Sequence, residues 1–239
     1  MKRLDGQVAI ITGASAGLGR AAAVAFAREG AKVVVTARRA DRLRALVQEI
    51  AAFGGEATSF AEDAALEETA NSVFRLAKEK FGRVDILINN AGIGNYKLIA
   101  DTTVAEYDEM MAANVRSGFV FTRAVVAEMI AQRSGQIVFV SSVAGLTGAA
   151  KESVYAATKF AQVGMAQSLD AELRPHGIKV TAFCPGGMKT EFAIGHGRTD
   201  ESVAQSRYME ASEVADALVN LCALPANVRV PQMVVRHMG

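Results

Sequence analysis

Near the start of the chain stands Val8-Ala9-Ile10-Ile11-Thr12-Gly13-Ala14-Ser15-Ala16-Gly17-Leu18-Gly19, followed by apolar residues at helical spacing to Glu29. An unbroken apolar run of five residues that ends in glycines and opens a helix predicts a strand, a tight turn and a helix. In that reading Gly13 permits the sharp exit from the strand, Gly17 lets backbone approach a pyrophosphate, and Gly19 lets the helix pack close to the sheet. The N–H groups and dipole of the helix start then face a dianion. The spacing is G-x-x-x-G-x-G rather than G-x-G-x-x-G. Glycines also make plain turns, so the weight rests on the strand before and the helix after.

Outward from this turn the pattern repeats. Strands are predicted at Val8–Thr12, Lys32–Thr36, Ala57–Ala61, Ile86–Asn89, Gln136–Ser141, Lys179–Phe183 and Met233–Arg236. Helices are predicted at Gly19–Glu29, Arg42–Phe53, Leu66–Phe81, Asn114–Arg133 and Ser153–Arg174, with another beginning near Ser212. Alternation of strand and helix predicts an α/β fold: one doubly wound, mostly parallel, seven-stranded Rossmann-type sheet in a single domain over 1–239. Gly30, Gly54-Gly55, Gly82 and Gly177 follow helix ends, where left-handed backbone favours glycine. The segment Glu191–Met209 breaks the alternation with Gly195, Gly197, Arg198 and Asp200 and few large apolar residues. It is expected to be either a mobile lid over the carboxyl ends of the strands or a plain surface loop.

The bulk numbers remove several classes of function. A formal net charge of +1 provides no basic field for nucleic acid. No apolar stretch approaches the roughly 18 residues of a membrane span, and Val8–Ile11 is too short for the core of a secretion signal. Two cysteines, Cys184 and Cys222, make no disulfide framework, so a reducing cytoplasm is expected. His176, His196 and His237 lack metal-ligand spacing, and no metal is expected.

The second predicted strand selects a nucleotide. An NAD site usually places an acid about 20 residues past the glycines. Here Val35-Thr36-Ala37-Arg38-Arg39 puts Ala37 at that position and two arginines after it. Guanidinium suits a 2′-phosphate, so NADP is expected and NAD less so. Further along, Tyr155 and Lys159 stand four residues apart and share a helix face. An ammonium beside a phenol stabilises phenolate and brings the phenol toward useful acid–base range. Ser142, at the end of the preceding strand, can reach the same sheet edge, with Ser141 as its rival.

Together these residues resemble the short-chain dehydrogenase/reductase family over essentially the whole chain. Thr12–Gly19 matches its glycine motif, with Gly13, Ser15, Gly17, Leu18 and Gly19 at the cofactor. Asp63 matches its adenine-contacting acid, and Asn89-Asn90-Ala91-Gly92 its motif after the fourth strand, placing Asn90, Ala91 and Gly92 at the cofactor. Asn114, Ser142, Tyr155 and Lys159 match its catalytic tetrad, and Pro185-Gly186 with Met188 and Thr190 its nicotinamide segment.

By that resemblance Tyr155 exchanges a proton with substrate oxygen, and Ser142 polarises the carbonyl. Lys159 lowers the tyrosine pKa and holds the nicotinamide ribose, while Asn114 helps hold a water linking Lys159 to solvent. Asn114 also reads as a helix N-cap. The resemblance implies an NADP(H)-dependent oxidoreductase interconverting a carbonyl and a secondary alcohol. It also implies a homo-oligomer, tetramer or dimer. The tail Val230–Gly239 departs from the family's usual Gly-Gly ending and resembles the branch acting on small 3-oxo acids and hydroxy amino acids.

Val143, Leu146 and Ala149, with Tyr96, Met188 and Phe192, are candidates for an apolar substrate wall. Lys97, Lys151 and Lys189 are candidates to receive a carboxylate or carrier phosphate. Candidate substrates are 3-oxoacyl thioesters, hydroxy acids and small or cyclic ketones. The alternative from another class is an NADP(H)-sensing regulatory protein without turnover. A sugar-nucleotide epimerase or dehydratase is disfavoured, because such relatives carry a longer C-terminal substrate domain.

Overall fold

The computed structural model describes residues 2–238. The chain runs β1 (Val8–Thr12), α1 (Gly17–Arg28), β2 (Lys32–Ala37), α2 (Ala40–Ala52), β3 (Ala57–Ala61), α3 (Glu67–Phe81) and β4 (Ile86–Asn89). It continues with α4 (Val104–Met111), a π turn (Ala112–Arg116), α5 (Ser117–Gln132), β5 (Gly135–Val140), α6 (Ser153–Leu173) and β6 (Ile178–Pro185). It closes with β7 (Met188–Lys189), α7 (Asp200–Ala204), β8 (Met209–Glu210), α8 (Ala211–Cys222) and β9 (Gln232–Val235).

Seven strands form one sheet in the order β3-β2-β1-β4-β5-β6-β9, every neighbouring pair parallel. Both faces are covered, and the strands show it residue by residue. Ala9, Ile11, Val33 and Val35 pack with α1, α2 and α8 on one side; Val8, Ile10 and Val34 pack with α3, α5 and α6 on the other. Side chains alternate across a strand, so a strand covered on both faces must be apolar at every position. That is why Val8–Thr12 is buried throughout. Burying a Val or Ile side chain contributes roughly 1.5–3 kcal/mol each.

Successive strands proceed outward from β1 to β3, then resume on its other side with β4. This reversal opens a crevice beyond the carboxyl ends of β1 and β4. Gly30, Gly54, Gly82 and Gly177 do take positive φ after helix ends, while Gly55 does not.

The middle of the chain departs from expectation. Helix α4 was not anticipated; it starts at a capping box in which Thr103 and Glu106 satisfy each other's backbone N–H groups. Asn114 does not cap a helix. It lies inside the π turn that joins α4 to α5, which continue one another in helical geometry. The 191–209 segment is also more ordered than a plain loop. α7 carries its own capping box at Thr199, and β7 and β8 pair in parallel as a second, two-stranded sheet.

Candidate active site

A cleft of about 820 Å³ lies beyond the carboxyl ends of β1, β2, β4, β5 and β6. It is lined by Gly13, Ser15, Gly17, Leu18, Arg38, Arg39, Asp63, Asn90, Ala91 and Gly92. Ser142, Tyr155, Lys159, Pro185, Gly186, Met188 and Thr190 line it as well. Of the residues singled out by sequence, Gly19 and Asn114 lie behind the wall, because each has a packing task. A Cβ at Gly19 would come 2.6 Å from the Gly13 carbonyl and overlap the Asn90 amide. The Asn114 side chain is tied up internally.

The glycine turn is fastened by Asn90. Its Nδ2 donates to the Thr12 carbonyl at 2.9 Å, and the backbone N–H groups of Asn90 and Ala91 donate to the Thr12 hydroxyl at 2.9 Å each. Gly13 has φ of 67°, and a Cβ there would sit 2.8 Å from the Ala91 Cα. Only glycine serves at this position. Helix α1 begins without a side-chain cap and without an acid in its first turn. Its leading N–H groups are available to an anion.

The arginines at the β2 end face this cleft, but they are not equivalent. Arg38 is exposed. Arg39 donates to the Ser15 hydroxyl at 3.0 and 2.9 Å and forms an ion pair with Glu191 at 2.5 Å. Arg42 joins the same carboxylate at 2.7 Å. Burial pushes the Glu191 carboxyl up, but the guanidiniums of Arg42 and Arg39 outweigh it and hold it below the usual carboxylate range. A carboxylate from the 191–209 segment therefore sits on an arginine expected to read a 2′-phosphate. Asp63 lines the cleft and accepts the Ala65 N–H at 2.9 Å.

At the opposite end, Ser142 and Tyr155 line the cleft together. Ser141, the rival, is buried and donates to the Lys159 carbonyl at 2.9 Å. The Tyr155 phenol is buried, and burial pushes its pKa well above the ordinary value. The neighbouring Tyr96 adds to this, and Ser142 opposes it. In this structure burial, rather than Lys159, has the largest effect on the phenol. The Lys159 Nζ lies 5.6 Å from the Tyr155 ring centroid and donates elsewhere, to the Val140 carbonyl and to Gln162 Oε1, both at 2.9 Å. Burial brings the Lys159 pKa down to about 7.

Gln162 is the residue that sequence reasoning missed. It is 1% exposed, and its Nε2 donates to the Asn114 carbonyl at 2.7 Å while its Oε1 accepts from Lys159. Its side chain thus bridges Lys159 and the Asn114 carbonyl directly. The Asn114 side chain accepts from the Ile93 N–H at 2.7 Å and donates to the Ile93 carbonyl and the Thr158 hydroxyl. The available signal was spacing: Lys159 and Gln162 are three apart on one helix face. π turns of this kind recur at functional sites.

The substrate wall is also redistributed. Val143, Tyr96, Met188 and Phe192 line the cleft, but Leu146 packs into the core and Ala149 is exposed elsewhere. None of Lys97, Lys151 and Lys189 lines the cleft; Lys97 pairs with Glu106 and Lys189 with Glu210. Cys184 is buried, and burial raises its thiol pKa. Among the described residues no group of acids, histidines and cysteines could hold a metal, and no helix is long and apolar enough to cross a membrane.

Comparison with known proteins agrees with this architecture. The short chain dehydrogenase family model matches residues 7–201. An uncharacterized oxidoreductase of Thermotoga maritima is 40% identical over 187 residues, covering 78% of this chain and 74% of that protein. A 3-oxoacyl-[acyl-carrier-protein] reductase of Synechocystis is 34% identical over 231 residues, 95% of this chain and 93% of its own. The crystal structure of a metagenomic short-chain oxidoreductase in complex with NADP superposes with a TM-score of 0.85 at 33% identity, covering 98% of both chains.

Proposed function

The chain belongs to the short-chain dehydrogenase/reductase family, and from that premise we propose that it is an NADP(H)-dependent enzyme interconverting a small carbonyl compound, a 3-oxoacyl thioester or 3-oxo acid among them, and its secondary alcohol. The observation that carries the reading is the meeting of Ser142, Tyr155 and Lys159 in the cleft that also holds the uncapped α1 start.

The residues fit a phosphorylated dinucleotide. Gly13 and Gly17, both at positive φ, turn the chain so that the uncapped α1 N-terminus can face a pyrophosphate in the cleft. Ala37 presents no acid to repel a 2′-phosphate, and Arg38 stands exposed to receive one. Asp63 suits the adenine, Asn90, Ala91 and Gly92 the middle of the cofactor, and Pro185, Gly186, Met188 and Thr190 the nicotinamide end. When bound, the dinucleotide supplies or accepts the hydride.

The protein's own groups handle the proton. Burial keeps the Tyr155 phenol protonated at neutral pH, the form that can give a proton to a carbonyl oxygen as negative charge develops there. Ser142 supplies a second donor at the same oxygen. Lys159, held near its neutral point, is placed to take up or release a proton behind the phenol. In this reading the 191–209 segment is a lid over 1–239 as one domain, and Asn114 acts from behind through its carbonyl.

The same reading places the protein in a reducing cytoplasm as a homotetramer or dimer. In support, both thiols are free and buried, and Phe119, half exposed, lines an apolar groove with Met111, Val115 and Met165. The test is loss of NADPH absorbance against a panel of carbonyl compounds. The parent is expected to turn over at least one, and Tyr155→Phe to lose about 10²–10⁴-fold in kcat while binding NADPH. Turnover unaffected by Tyr155→Phe would remove the reading.

A further inference from the structure

We propose that Arg198 is the anchor for a carboxylate on the substrate, so that the compound reduced or oxidised is an oxo or hydroxy acid rather than a neutral ketone or thioester. This deepens the function proposed above and rests on it.

The cations that line the cleft divide by what already holds them. Arg39 is paired with Glu191, and Arg38 faces the β2 end. Lys159 directs its donors into the protein at Val140 and Gln162. Arg198 stands at the substrate end, half-buried, and no described carboxylate forms an ion pair with it. What holds it is aromatic: its guanidinium carbon lies 5.4 Å from the Tyr96 ring centroid, 5.2 Å from Tyr208 and 5.9 Å from Phe192. Its charge also opposes the upward push of burial on the Tyr96 phenol.

This arrangement orients a charge without neutralising it. A guanidinium attracted to ring faces keeps its in-plane N–H groups for an acceptor, and two parallel N–H groups match a carboxylate. Burial among three rings also makes an unpartnered cation more eager for an anion than one in open solvent.

The position of the anchor relates it to the reacting oxygen. Tyr96 meets the Tyr155 ring edge-on at 5.5 Å, and Phe192 tilts against it at 5.8 Å. Arg198 is thus one ring removed from Tyr155, close enough that its charge opposes the effect of burial on the phenol. A short compound with its carbonyl at Ser142 and Tyr155 can place a nearby carboxylate on Arg198. A thioester would present a neutral group there. Glu152 lines the same cleft and also acts on both tyrosines, but it does not pair with Arg198. The three lysines that sequence alone offered as anion receivers lie outside the cleft.

The experiment uses the full-length protein with NADPH and matched pairs of 2-oxo, 3-oxo and 4-oxo acids and their methyl esters. For at least one pair the acid is expected to exceed the ester in kcat/KM by about 10-fold or more. That ratio is expected to fall at least about 10-fold in Arg198→Met, mainly through KM of the acid, and by an intermediate factor in Arg198→Lys, which keeps charge but not the planar fork. Thermal melts establish that the variants fold; if Arg198→Met does not, the ratio in Arg198→Lys decides. Turnover of esters without acid preference, or an acid-to-ester ratio unchanged in the folded variant, overturns the anchor and leaves the oxidoreductase reading standing. No turnover of any acid, ester or neutral carbonyl removes that reading, and the anchor with it.

Discussion

The inner and outer walls of the cleft are built by different physics. The inner wall and the layer directly behind it, where β5, the π turn and α6 meet, hold Asn114, Ser141, Thr158, Lys159 and Gln162, all buried and linked by hydrogen bonds. The outer wall is the 191–209 segment, held by partly exposed ion pairs to Arg39 and Arg42 and by the stacking of Arg198. Buried polar groups are expensive to leave unpaired, so the inner wall has essentially one arrangement. Exposed ion pairs contribute about 0–1 kcal/mol, so the outer wall can exchange partners when a ligand offers better ones. Chemistry needs the first property and ligand entry needs the second.

The largest effect that can break this comparison is on Lys159. Its pKa is near 7 in the folded protein and near 10.5 in the unfolded chain. Below about pH 7 the group is charged in both states, and the folded state bears the whole penalty of burial. Between the two values the unfolded chain binds the extra proton, so stability rises with pH; above 10.5 the penalty is gone. Lys159→Met, which never carries the charge, is expected to compare best with the parent at pH 6–7. Its relative stability then falls by about 1 kcal/mol per pH unit toward pH 10. Parallel stability curves by denaturant titration would mean that Lys159 is not desolvated as described. Activity is expected to be lost at every pH.

Next comes Gln162. Replacement by Leu leaves the Asn114 carbonyl and the Lys159 ammonium each short of a partner and is expected to destabilise by about 1–3 kcal/mol. Gln162→Glu sets a carboxylate against Lys159 and should move the acidic limb of the kcat profile to higher pH. A purely structural role predicts lost stability with an unmoved limb.

The outer wall should respond more gently. Arg38→Ala is expected to raise KM for NADPH by about 10-fold, the scale of one charge-assisted hydrogen bond, with a much smaller change for NADH. Equal changes would mean that Arg38 does not read the 2′-phosphate. Smallest of all, Glu191→Gln frees Arg39 and Arg42 and is expected to tighten NADPH by roughly two- to five-fold, within the range for exposed pairs, measured by cofactor fluorescence. Weaker NADPH binding would mean that the Glu191 contact supports the cofactor site instead of competing for it.

Legibility in the sequence follows the same division. Val8–Gly19 reads correctly because strand, turn and helix are local patterns, and the parallel sheet follows from their alternation. Tyr155 and Lys159 read as a pair because four residues on a helix bring them together. Gln162 escaped notice because its role depends on Asn114, 48 residues away, and on a π turn with no strong local signature. The clasp between Arg42 and Glu191 spans 149 residues, and Arg198 joins two rings of its own 191–209 segment to the distant Tyr96. Lys97 and Lys189 fall outside the cleft and already have acids beside them, which charge in a sequence does not reveal.

From the sequence alone came the parallel doubly wound sheet, the glycine turn at its switch point and the roster of reactive side chains, since periodicity and short spacings are properties of neighbours along the chain. The tertiary structure decided which of those side chains are charged, which are already partnered and which face the cleft. Ionisation and hydrogen bonding depend on burial and on groups distant in sequence, and only folding brings those together.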